Sequence, residues 1–246
     1  MLPKSTPPDI AETNRRFYDA FWSRARLQQP DTFNTWPLVT ELSGPATRRL
    51  EIGPGLRPRL PIAGTHFIDL SSHAVERLRA SGGLAVVDEI GKLAFDDGAF
   101  GLVCAFDVIE HVRDDQLVLS EVSRVLEDRG VLILSVPVHT DRWTEFDDWV
   151  GHARRYDPST LVAMLASHAL DVERSAVFGM QPANTRWVKR ARWYLENRPA
   201  WAMLWYNWVA WPLAMLLQKR LRVVDGLIDT TGVDEVVVVC RRRARV

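Results

Sequence analysis

The chain has 246 residues, with 31 basic and 31 acidic side chains and a formal net charge of zero. That balance supplies no bulk electrostatic drive toward nucleic acid, and none is expected as a partner. The length suits one substantial domain with additions, and the two cysteines, Cys104 and Cys240, sit in apolar runs and read as buried thiols of a reducing, cytoplasmic compartment.

Met1 to Pro8 reads as disordered, and prolines and acids stand where a secretory signal would need an apolar core. From Asp9 a helical pattern carries Ile10, Phe17, Phe21 and Trp22. A second short helix holds Trp36, Leu38, Val39 and Leu42 and stops at Gly44-Pro45.

The apolar run beginning at Leu50 carries Glu51 and leads into Gly53-Pro54-Gly55; a second run, His66 to Ile68, ends in Asp69. This is the strand, glycine turn and second strand of a nucleotide-binding α/β unit. Glycine lets the backbone approach a ligand that a Cβ would push away, and Asp69 stands where one carboxylate accepts both hydroxyls of a ribose. Pro58 and Pro61 leave no room for a full helix between the strands, and Arg57 occupies the third glycine position of a dinucleotide fingerprint. Arg57 reads as a solvated side chain.

Ser71 to Ala80 is an N-capped helix stopped by Ser81-Gly82-Gly83. Leu84 to Val87 is a third strand with Asp88 at its carboxyl end, the edge where ligands of open α/β sheets collect. Leu102 to Phe106 is the fourth strand, Asp115 to Leu126 an amphipathic helix, and Val131 to Val136 a buried strand. In Asp107-Val108-Ile109-Glu110-His111-Val112, Glu110 and His111 are adjacent, about 100° apart on a helix, with no HxxxH or CxxC spacing around them. No metal site is expected.

The loop from His139 to Tyr156 follows the fifth strand and is dense in acids, aromatics and histidine. Asp157-Pro158 caps the next helix, Ser159 to His168. His152 and Tyr156 are the candidate catalytic residues facing an acceptor; the alternative is a hydrogen-bonded cluster that orders the loop. Asp171 to Phe178 is strand six, and the best last strand, Glu235 to Cys240, is delayed by an insertion of about fifty residues.

The insertion holds six of the ten tryptophans, Trp187, Trp193, Trp201, Trp205, Trp208 and Trp211. Pro199 to Leu217 is apolar except for Asn207, with Arg186, Lys189, Arg190, Arg192 and Arg198 before it and Lys219, Arg220 and Arg222 after it. A single membrane crossing is excluded, since strand seven must return to the sheet that holds strand six. Three readings remain for Trp201 to Leu217: contact with a membrane surface, an apolar roof over an acceptor pocket, or a homodimer interface.

From Arg48 to Gly179 the order and spacing of LEIGPG, FIDL, VVDE, FDDG, DVIEHV and GHARRYD resemble the class I S-adenosylmethionine-dependent methyltransferases, type 11-like. The resemblance implies a doubly wound, Rossmann-like sheet of seven strands with an antiparallel last strand. A helical N-terminal cap covers 1–45, the donor-binding core 46–179, a helical insertion 180–233, and the last strand and basic tail 234–246. It implies S-adenosylmethionine as cofactor, held by Glu51, Gly53, Gly55, Asp69, Leu70, Asp88, Glu89 and Phe106, with Asp88 toward the adenine amino group. It also makes Arg57 an alternative partner for the donor's carboxylate. The expected reaction is methyl transfer to a small-molecule or lipid-like acceptor by a cytoplasmic or membrane-peripheral enzyme. A non-catalytic cofactor-binding scaffold is the second reading, and a nicotinamide-dependent dehydrogenase, lacking GxGxxG, the third.

Overall fold

The computed structural model describes residues 18–44, 47–179 and 185–245. The expectations placed on Met1 to Phe17 lie outside the described residues. Eight strands form one sheet: β1 (Arg49–Ile52), β2 (His66–Asp69), β3 (Leu84–Val87), β4 (Phe100–Phe106), β5 (Leu126–Pro137), β6 (Leu170–Val177), β7 (Val224–Asp225) and β8 (Glu235–Arg242). Their order is β3-β2-β1-β4-β5-β8-β6-β7. The first five pair in parallel, whereas β8 runs antiparallel between β5 and β6. The expected seven strands become eight because β7 adds a two-residue edge to β6, at Arg174↔Asp225 and Ser175↔Val224. Two residues carry no periodic pattern that a sequence reading detects.

The central strands are apolar on both faces because both faces are covered. On one side α3 (Asp115–Val125) and α5 (Pro158–Ser167) bury Val118, Leu119, Val122, Leu161 and Leu165 against β4, β5 and β8. On the other, α1 (Trp36–Leu42) and Leu60 cover Leu102, Cys104, Ile133 and Val237. Between β1 and β2 the chain forms turns and no helix, as Pro58 and Pro61 require. Glu51 replaces the missing helix as the anchor of this loop. Its buried carboxylate accepts the backbone N–H groups of Arg59 at 2.8 Å and Leu60 at 2.9 Å.

After β2, α2 (Ser72–Ala80) begins with Ser71 accepting from Ala74 N. After β5, α4 (Glu145–Val150) opens with a capping box from Thr144 and Asp147 and closes on Gly151 at φ 78°.

The insertion is helical: α6 (Thr185–Asn197), α7 (Pro199–Trp205), a π turn at Tyr206–Ala210, and α8 (Trp211–Leu217). Pro212 lacks an N–H and its ring would strike a carbonyl one turn earlier, so the helix widens there and resumes. Asn207 and Gln218 face inward. Asn207 accepts from Arg26 N and donates to Arg24 O, while Gln218 accepts from Asn34 N and donates to Thr32 O. The outward face is apolar, with Trp208 61% and Leu216 81% exposed and Trp201, Leu204, Trp205 and Leu213 alongside. Among the described residues, no helix is long and apolar enough to cross a membrane.

Candidate active site

The carboxyl ends of β1, β2, β4 and β5 open into a cavity of about 1630 Å³, roofed by helical residues 18–22 and by the inner face of the insertion. A single small ligand commonly occupies about 300–1,000 Å³, so there is space for a nucleoside-sized donor and a second molecule.

The donor half is built around the glycine turn. Gly53 has φ 63°, and a Cβ there would lie 2.8 Å from Val108. At Gly55, φ 53°, a Cβ would fall 2.2 Å from the Trp22 ring, so the N-terminal cap closes directly onto the turn. Gly55 itself does not line the cavity; its N–H holds Asp69 Oδ2 at 2.7 Å. Asp69 Oδ1 accepts from Ser71 N at 2.8 Å. Burial raises the Asp69 carboxyl to about 6 against these stabilising amides. Gly53, Leu70, Asp88, Glu89 and Phe106 all line the cavity. Glu51 also reaches it, but its oxygens are engaged by the 59–60 amides, and burial raises it to about 7.

Arg57 is not solvated. Its guanidinium lies 4.1 Å from the Trp211 ring centroid and 5.3 Å from that of Trp22, and it donates to Tyr206 Oη. Its Nε is buried without a hydrogen-bond partner among the described residues. A cation at the cavity wall beside the glycine turn has the charge to meet the donor's carboxylate. The rings around Arg57 come from the cap (Trp22) and the insertion (Tyr206 and Trp211), far from it in sequence.

The acceptor half centres on His152. Its Nδ1 is 2.8 Å from Asp147 Oδ1, and Asp147 also takes Arg155 Nε at 2.9 Å and Nη2 at 2.8 Å. Hydrogen bonds from His152, Arg155 and Thr144 hold the Asp147 carboxyl well below its usual range, outweighing burial. An ionised carboxylate only accepts, so His152 carries its proton on Nδ1 and presents Nε2 to the cavity. Tyr156 does not join it. Its hydroxyl donates to Asp115 Oδ2 at 3.0 Å beneath α3, and it is absent from the cavity wall, so the catalytic expectation for Tyr156 is corrected to a packing role.

Two further carboxylates were missed by sequence reasoning. Asp107, at φ 55° just past β4, exchanges hydrogen bonds with Ser135 through both its N–H and its Oδ1. Glu235 lies beside it, its carboxyl pushed well above the usual range by burial and then by the charge of Asp107. Glu235 opens an antiparallel strand and pairs with Pro137, which puts its start at the edge where the parallel strands end. That topological inversion is the signal that could have found it.

An open sheet in this order, with a glycine turn after β1 and acids at the ends of β2 and β3, defines a fold that binds an adenosine-type donor at its carboxyl edge. Residues 51–134 match a family model described as a methyltransferase domain. Residues 51–134 thus form a methyltransferase domain, and such a domain implies S-adenosylmethionine as the cofactor. No curated protein matches the sequence significantly. Among solved structures it is similar to an S-adenosylmethionine-dependent methyltransferase from Thermotoga maritima, with 16% identity, TM-score 0.61 and coverage of 96% of this chain and 100% of that one. A second methyltransferase, from Mesorhizobium loti, gives 15% identity and TM-score 0.52 over 87% and 100% of the two chains. A [4+2]-cyclase gives 17% identity and TM-score 0.55 over 85% and 80%. At these identities the likeness is one of fold.

Proposed function

We propose that the protein transfers the methyl group of S-adenosylmethionine to a hydroxyl of an anionic amphiphile taken from a membrane surface. The observation that carries this reading is the cavity of about 1630 Å³, larger than a donor needs, with a stretch of apolar wall supplied by the insertion. Trp211, Ala214 and Met215 form that wall, and Lys219, Arg220 and Arg222 stand at its end, suited to an anionic group. Methyl transfer from a sulfonium is an in-line displacement that needs alignment and exclusion of water, both of which a roofed cavity supplies.

The outward face of α7 and α8 supports membrane contact. Asn207 and Gln218 dock the helix to the fold, leaving Trp201, Leu204, Trp205, Leu213 and Leu216 exposed, and Trp208 exposed too although its ring lies 4.3 Å from the Arg26 guanidinium. Exposed Arg190, Arg198, Lys219 and Arg220 flank them, as anionic headgroups require. The protein should therefore sediment with anionic vesicles and much less with zwitterionic ones, and the binding should weaken with salt. Trp205→Ala with Trp208→Ala should weaken partitioning at least about tenfold while sparing donor affinity. Isotopically labelled donor should label a lipid fraction. Label confined to water-soluble extracts, with unchanged vesicle binding in the double variant, would overturn the reading.

A further inference from the structure

We infer that Glu110, His111 and His152 form a site for one divalent transition-metal ion, of the Zn²⁺ or Co²⁺ kind, at the acceptor end of the cavity. The adjacency that argued against a metal does not describe how the chain folds here. Glu110 and His111 lie in a 3-10 turn (Ile109–His111), and the third residue comes from the loop after α4. Each of the three brings one ligand atom within 4.8 Å of the others, and all three line the cavity.

The hydrogen bonds leave these atoms suited to a cation. Asp147 takes the Nδ1 proton of His152, so Nε2 holds a lone pair and lies 3.9 Å from Glu110 Oε1, too far for a hydrogen bond. Gly151 O lies 3.2 Å from His111 Nδ1, and a carbonyl only accepts, so His111 also carries its proton on Nδ1. The Tyr18 hydroxyl approaches His111 Nε2 at 3.4 Å. Metal-bound imidazoles are commonly held in this manner, one nitrogen donating to a carboxylate or carbonyl and the other facing the ion. The two rings meet edge to face, centroids 4.7 Å apart.

Glu110 supplies the independent observation. Its side chain is wholly buried, yet neither carboxylate oxygen has a hydrogen-bond partner among the described residues. Native proteins rarely leave such a group unmatched. The corner thus gathers two imidazole nitrogens and a carboxylate with no hydrogen-bond partner among the described residues on one wall of the cavity. Two imidazoles and one carboxylate favour zinc, cobalt or iron over magnesium or calcium, which prefer oxygen alone. Ligands about 2.0–2.1 Å from a tetrahedral ion stand about 3.4 Å apart, so the side chains need to close by about 1 Å.

Three protein ligands leave a position open to the cavity, where an acceptor hydroxyl can bind. The bound hydroxyl loses its proton to solvent more readily, its oxygen pair forms the new O–CH₃ bond, and the CH₃–S pair returns to sulfur as a neutral thioether. This role rests on the methyl-transfer reading; the binding of the ion does not.

The test is titration of full-length, chelator-treated protein with Co²⁺ and Zn²⁺, followed by calorimetry and by the Co²⁺ absorption spectrum. One ion per chain is expected, with affinity at least about tenfold weaker in His152→Ala and in Glu110→Gln, both still binding S-adenosylmethionine as a check of folding. Should Glu110→Gln not fold, His152→Ala alone decides. Absence of stoichiometric binding in the wild type, or binding unchanged in a folded variant, overturns the site. Displacement of the ion by the methyl donor would overturn it equally, since Glu110 would then face the sulfonium. Intact metal binding without methyl transfer would leave the site standing and sink the catalytic role.

Discussion

Arg155→Met is expected to lower the unfolding free energy by about 3–5 kcal/mol and the melting temperature by about 10 °C. Both side chains of the Arg155–Asp147 pair are fully buried, at 2.8 Å. Asp147 is held ionised by Arg155, His152 and Thr144 together. Removing the guanidinium leaves a buried carboxylate short of its strongest partner, and methionine restores volume but no charge. Asp147 also caps α4 through Thr144, at 2.7 Å to its N–H, so the loop carrying His152 should loosen along with it. Thermal denaturation checks this. A loss below about 1 kcal/mol would mean that His152 and Thr144 suffice to hold Asp147.

His152→Ala is expected to reduce methyl transfer by about 10²- to 10⁴-fold, with donor affinity unchanged within about twofold. The imidazole lies in the acceptor half of the cavity and has no contact with Gly53, Asp69 or Asp88 among its hydrogen bonds and ion pairs. Its neighbours Glu110, His111 and Asp147 converge on one corner. Whether His152 holds the acceptor's proton or an ion that acidifies it, its removal should fall on turnover and not on donor binding. Single-turnover measurements with saturating donor separate the two. Equal losses in turnover and donor affinity would instead make His152 part of the donor site.

Much of the sheet was legible because its central strands are continuous apolar runs, as a parallel sheet buried on both faces requires, and because an acid closes β2 and another follows the exposed edge strand β3. The missing helix after β1 was legible in Pro58 and Pro61, and the helical insertion in its tryptophans and delayed last strand. What escaped notice depends on contacts across long stretches of chain. Glu110 is read beside His111 as adjacent helical positions without metal spacing and His152 as a loop residue facing the acceptor, and only the loop closed by Gly151 brings Glu110 and His152 within 3.9 Å. Arg57 reads as solvated until Trp22 and Trp211 close around it. Tyr156, conspicuous in its motif, points to Asp115 instead of the cavity. Glu235 hid because an antiparallel strand presents its beginning, not its end, at the ligand edge.

The most direct test of the account is calorimetric titration of S-adenosylmethionine into wild-type protein and Asp69→Ala, at pH 7 and pH 5. The donor should bind the wild type in the micromolar range at pH 7, about −8 kcal/mol. Asp69→Ala should lose about 1–3 kcal/mol through the ribose hydrogen bonds. Because the buried Asp69 titrates at about 6 and the ribose hydroxyls need the ionised form, wild-type affinity should fall about tenfold from pH 7 to pH 5. The variant should show no such fall. No binding heat in the wild type, or equal affinity in a folded Asp69→Ala at both pH values, would contradict the donor site at this edge of the sheet.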